Sequence, residues 1–241
     1  MSLRRLFILL ALLVCTTLSH AGLLAGSTRV IYNAGERERS LMLANTNDYP
    51  VVVQTWIDQG EGNPDNAQAP FIVLPAVFRL QPNGIQGLRI LFGGDALPDD
   101  RESVYWLNLY EIPPTASETR APAQIDMAMN TQLKIFYRPA GLTPEPAEAP
   151  PRLEFSLRQE GEQWFLQCRN PTPFHASFAG LTVEGDGRVL EAEQEMDMMT
   201  SPFAERRYRL GAEPPPAGAR LRFWLINDAG FPVEHEAALA R

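Results

Sequence analysis

One side chain stands apart by type. Lys134 is the only lysine among 21 basic residues, the other 20 being arginines. It lies in Leu133-Lys134-Ile135-Phe136-Tyr137, where apolar neighbours make an unpaired ammonium costly and call for a partner of opposite charge. On a solvated strand face the same lysine would need none. Upstream, Ile125, Met127 and Met129 alternate with Asp126, Ala128 and Asn130, which gives an extended segment one apolar face. Such a row fills a core if the strand is interior, or offers apolar side chains along an edge that can accept another chain. Strand parity puts Lys134 on the opposite face from the row. Catalytic chemistry finds little to work with. His175 and His235 lie in no nucleophile or metal motif, and no glycine-rich loop follows a strand and opens a helix. Cys168 shares strand parity with Trp164 and Leu166 and reads as a small buried hydrophobe. No enzyme, cofactor or metal site is expected.

The elements that must position these residues read as strands. From Thr28 to Tyr137 short runs rich in Val, Ile, Leu and aromatics alternate with Gly, Pro, Asn and Asp, without a sustained helical period. Strands are expected at Thr28 to Tyr32, Arg39 to Asn45, Val51 to Asp58, Phe71 to Leu74, Gly87 to Phe92, Ser103 to Ile112 and Gln124 to Tyr137. The Pro-, Ser- and Thr-rich stretch from Pro113 to Pro122 reads as an exposed approach to the last of them. Residues 141–151 hold many prolines and little to bury, so they read as a semi-rigid linker between a domain at 22–140 and another at 152–241. In the second domain, strands are expected at Leu153 to Leu157, Glu162 to Arg169, His175 to Val183, Arg188 to Leu190, Phe203 to Leu210, Arg220 to Ile226 and Val233 to Glu236. The acids and methionines from Glu191 to Met199 suit a helical turn better than a strand. The fold class is all-β, two sandwiches in series.

The first residues supply an address. Arg4 and Arg5 precede an apolar run from Leu6 to Val14, and Ser19-His20-Ala21 follows as a small-residue cleavage site, so residues 1–21 read as a secretory signal peptide. That run is too short for a spanning helix, and no stable membrane insertion is expected. Cleavage there leaves 19 basic against 29 acidic groups, a balance that repels phosphate backbones and argues against nucleic acid as a partner. It also leaves Cys168 alone, so no intramolecular disulfide can form.

Six motifs then occur in order: Thr28-Arg29-Val30-Ile31-Tyr32, Asp100-Arg101-Glu102-Ser103, Glu111-Ile112-Pro113-Pro114, Lys134-Ile135-Phe136-Tyr137-Arg138-Pro139, Asn170-Pro171-Thr172-Pro173 and Ile226-Asn227-Asp228. This ordered set resembles the periplasmic chaperones of P pili and type 1 pili. The resemblance implies two immunoglobulin-like sandwiches set around a cleft in a boomerang shape. It implies that Arg29 and Lys134 grip the C-terminal carboxylate of a pilus subunit, and that Ile125, Met127 and Met129 fill the groove left by that subunit's missing strand. It implies an ion-pair network of Glu102, Arg138 and Asp228 that holds the cleft angle. An outer-membrane usher is the implied recipient of the subunit, and a self-capping dimer is an option for the free protein. The short stretch between Pro114 and Gln124 resembles the short-loop branch of the family. Leu74-Pro75-Ala76 departs from the two consecutive prolines usual there, and a cysteine pair near the C-terminus, present in the P-pilus member, is missing. A secreted two-domain adhesion or ligand-binding module is the rival reading, because fold alone does not fix function.

Overall fold

The computed structural model describes residues 22–66, 68–114 and 128–240. Its first domain runs through β1 (Leu23–Ala25), β2 (Arg29–Asn33), β3 (Arg39–Asn45), β4 (Val51–Asp58), β5 (Phe71–Leu74), β6 (Val77–Leu80), β7 (Ile85–Phe92), β8 (Ser103–Ile112) and β9 (Met129–Arg138). Alternation of apolar and polar residues sorts these strands into two sheets, in the orders β1-β3-β7-β5 and β2-β9-β8-β4-β6. Leu43, Leu88 and Ile90 from one sheet meet Leu107, Leu109 and Ile135 from the other in a closed core. Each such side chain contributes about 1.5 to 3 kcal/mol by leaving water. After β5 the chain passes through Pro75 and Ala76 into β6 and so changes sheets. Thr55 fixes the crossing, its amide donating to the Ala76 carbonyl at 2.7 Å and its hydroxyl to the Pro75 carbonyl at 2.9 Å.

The second domain contains β10 (Glu154–Glu160), β11 (Gln163–Asn170), β12 (Ala176–Gly185), β13 (Arg188–Glu191), β14 (Met199–Thr200), β15 (Ala204–Gly211), β16 (Arg220–Ile226) and β17 (Pro232–Ala240). They pair in the order β13-β12-β16-β17-β10-β11-β15, with β14 beside β12. β17 joins the two halves of this sandwich: along most of its length it is antiparallel to β16, and at Leu239 and Ala240 it lies parallel to Phe155 and Ser156 of β10. Between the domains the proline-rich segment folds into two short 3-10 turns, Pro146–Glu148 and Pro150–Arg152, with Ala149 buried between them.

The same polar device closes a corner in each domain. The Asn45 amide donates to the carbonyls of Tyr49, Leu80 and Gln81 while its oxygen accepts the Asn47 amide. In the second domain Asn170 donates to Phe174, Thr200 and Ser201 and accepts from Thr172. Both asparagines are fully buried, so each bond replaces one that water would otherwise make.

The segment from Glu191 to Met199 corrects one expectation, for it forms no helical turn. Its backbone bonds go outward: the Ala192 amide donates to Leu181, the Glu193 amide to Arg209, and the Met198 carbonyl accepts the Phe178 amide. Met198 and Met199 are buried in the sandwich, and this tertiary anchoring outweighs a weak helix preference. Three strands escape the sequence reading, β1, β6 and β14, each of four residues or fewer.

Candidate functional site

β9 is bordered differently along its two halves. β8 pairs with it from Met129 to Tyr137, whereas on the other side β2 covers only Lys134 to Arg138, in parallel. Among the described residues no strand pairs with that second edge from Met129 to Leu133. Of the apolar row, Met129 begins β9 and is 57% exposed. Ile125 and Met127 lie outside the described residues.

The parallel register places Arg29 directly beside Lys134. Arg29 is buried. Its Nη1 donates to the Ile226 carbonyl at 3.0 Å, its guanidinium lies over the Phe136 ring at 5.3 Å, and its Nε has no hydrogen-bond partner among the described residues. Burial pulls the pKa of this guanidinium down, and the carboxylates of Asp228 and Glu102 act against that pull. The Lys134 ammonium reaches across to the second domain and donates to Asp197 Oδ1 at 2.7 Å. Asp197 in turn lies 3.3 Å from Arg206 Nη1 through its other oxygen.

Arg138, four residues along β9 from Lys134, joins the domains a second time. Its Nε donates to Glu102 Oε1 at 2.8 Å, and its two terminal nitrogens hold the Asp228 carboxylate at 2.7 and 2.9 Å. Burial alone would lower the Arg138 pKa, but the Asp228 bonds and the Glu102 charge turn the balance upward. The second Glu102 oxygen accepts the His175 amide at 2.9 Å and lies 3.3 Å from its Nδ1, while the Glu102 amide donates to Pro173. Glu102, Arg138 and Asp228 are therefore in direct contact, and His175 is a fourth member that sequence reasoning placed only outside any nucleophile or metal motif. Beside them opens a cavity of about 590 Å³, lined by Arg29, Phe136, Phe174, Leu153, Pro150 and His235 among others. Among the described residues no cluster of acids, histidines and cysteines could hold a metal ion. No helix there is long and apolar enough to cross a membrane.

Residues 22–143 match the family described as "Pili and flagellar-assembly chaperone, PapD N-terminal domain", and residues 148–237 match "Pili assembly chaperone PapD, C-terminal domain". The chain belongs to this family of pilus-assembly chaperones. Its members are assembly chaperones and not enzymes. The chaperone protein FimB/FhaD of Bordetella pertussis is 35% identical over 229 residues, covering 92% of this chain and 90% of that one. The crystal structure of the YadV chaperone, a probable fimbrial chaperone of Escherichia coli, superposes with a TM-score of 0.77 at 30% identity. It covers 90% of this chain and 99% of that one. A Salmonella enterica structure of the SafA pilin in complex with the SafB chaperone gives a TM-score of 0.73 at 27% identity, covering 90% and 96%.

Sequence reasoning about this chaperone missed Asp197 as well as His175. A lone lysine among apolar neighbours signals that some carboxylate should face it, but with 29 acids in the chain nothing in the spacing selects Asp197.

Proposed function

We propose that this protein is a periplasmic chaperone that captures pilus subunits by lending the free edge of β9, and the residues before it, to their incomplete sandwich. It then delivers them to an outer-membrane usher. In this reading residues 1–21 are a cleaved leader, residues 22–140 form the subunit-binding domain, 141–151 the linker and 152–241 the second domain. Ile125, Met127 and Met129 supply side chains to the subunit's groove, and the Glu102, Arg138 and Asp228 network sets the angle between the domains.

The observation that carries the reading is where Arg29 and Lys134 stand relative to the free edge. β2 begins at Arg29, so a strand added beside Met129 to Leu133 ends against that arginine and Lys134. An incoming strand parallel to β9 brings its C-terminal carboxylate to the two cations, while an antiparallel one brings an amino terminus that both would repel. Charge thus selects the orientation, and the point of contact fixes the register. Backbone bonds along the edge supply affinity that does not depend on sequence, and the apolar row supplies selectivity. The SafB relative, solved with a pilin, gives the same class of partner.

The test is co-purification of the tagged mature protein from the periplasm of its own host, beside a Lys134→Ala form, with bound proteins identified by mass spectrometry. Small pilin-like subunits should accompany the wild type. Lys134→Ala should remain folded and lose about 2 to 5 kcal/mol of subunit binding, as for truncation of one partner in a buried charged contact. Undiminished recovery with Lys134→Ala would overturn the anchor, and recovery of no subunit by either form while the appendage is being made would overturn the chaperone assignment.

A further inference from the structure

Lys134 is not free in this structure. Its ammonium is held at 2.7 Å by a carboxylate that reaches over from the second domain, on the segment between β13 and β14. That carboxylate is a side chain of the chaperone itself. We infer that Asp197 occupies the lysine half of the anchor in the free protein, standing in for the subunit's C-terminal carboxylate, and that capture requires the exchange of one carboxylate for the other. The inference rests on the reading of Arg29 and Lys134 as the subunit anchor and adds an internal competitor to it.

Three features suit Asp197 to this part. It is kept from leaving entirely, because the backbone on either side is tied into the sandwich, through Glu193 to Arg209 before it and through Met198 to Phe178 after it. It also has somewhere to put its charge on release. Arg206 lies 3.3 Å from the oxygen that Lys134 does not use, so the carboxylate keeps a cationic partner when the lysine turns away. Finally, the pair is only half protected from water. The Lys134 and Asp197 side chains are 22% and 41% exposed, and an ion pair at that depth contributes modestly and exchanges readily. Arg29, by contrast, has no acid within salt-bridge distance among the described residues, and its Nε has no acceptor. The two halves of the anchor therefore differ. The arginine is already without an acid partner among the described residues, and the lysine must first be released.

An internal carboxylate of this kind lowers affinity for every ligand that brings a carboxylate to Lys134 and so protects the site against casual anions. Only a chain that also pairs with the β9 edge brings its carboxylate close enough, for long enough, to win the exchange. Asp197 would in this way restrict capture to ligands that present both an extended strand and a free terminus.

The probe is a synthetic strand peptide of alternating Val and Thr ending in a free carboxylate, with its C-terminally amidated twin. Binding of both is measured by calorimetry to the mature wild type, Asp197→Asn, Lys134→Ala and the Lys134→Ala/Asp197→Asn double variant. Asp197→Ala serves as a second version, and circular dichroism checks the fold of each. Asp197→Asn should tighten binding of the carboxylate peptide by about fivefold, the scale of a partly exposed ion pair, and leave the amide unchanged. With Lys134→Ala already present, Asp197→Asn should have no further effect. If Lys134→Ala weakens the carboxylate peptide but neither Asp197 variant tightens it, Asp197 is a domain brace only and the inference falls while the anchor stands. Equal gains for carboxylate and amide would also overturn it. If Lys134→Ala leaves carboxylate binding unchanged, the anchor reading fails and the inference fails with it.

Discussion

Burial acts on Cys168 with little to oppose it. The thiol is fully enclosed in the second core, and desolvation pushes its pKa up to about 12, a contact with Thr200 working weakly the other way. Because the folded value lies above the unfolded value of about 8.5, the neutral thiol's contribution to stability is complete below that pH. It is lost as pH rises from there through about 12. Native protein at pH 8 should therefore resist alkylation by a maleimide, and the chain unfolded in urea should react. Labelling of the native form at the unfolded rate would place the thiol outside the core. The packing of Cys168 was legible from its parity with Trp164 and Leu166. Lys134 was legible as unusual from its solitude, but its partner was not, because Asp197 is brought to it by the meeting of two domains and by no local spacing.

At the scale of elements, alternation carried far. The ranges of β3, β4, β5, β8 and β16 coincide with those read from the sequence, since each has one face in a core and a turn residue at its ends. What escaped was either too short to show a period or, like the segment after β13, held by bonds to other strands in defiance of its composition. The free edge of β9 belongs to this scale too: periodicity gives a strand's faces, but only the placement of β2 tells which half of it lacks a neighbour. Met129→Glu tests that edge. The side chain is mostly exposed, so stability should shift by no more than about 0.5 kcal/mol in a thermal melt. Subunit capture should fail, because the charge would enter an apolar groove. Normal capture by this variant would remove the row from the binding role.

The whole molecule is joined by polar contacts. Arg29 meets Ile226, Lys134 meets Asp197, Arg138 meets Asp228, and Glu102 meets both Pro173 and His175. These pairs are 63 or more residues apart in sequence, which is why no motif spacing could disclose them; the order of the family's motifs pointed to some and was silent on others. Within the set, Arg138 bears most on the arrangement. Arg138→Ala would leave the buried Glu102 carboxylate without its cation, a change that costs about 3 to 5 kcal/mol when a buried pair is broken from one side. Urea unfolding should register that loss, and small-angle scattering should register a changed angle between the domains. Unchanged scattering with reduced stability would make the network a support for the fold alone.

β17 gives the second domain a timetable. It supplies the neighbour of both β16 and β10, so until residues 232–240 are in place each of those strands has an open side. During synthesis these come after every other strand of the domain. The sandwich is thus assembled around a gap that closes only at the end, and for that interval the emerging chain carries two exposed borders able to join with a neighbouring copy. The second domain must, while it is being made, wait for the completion of its own edge.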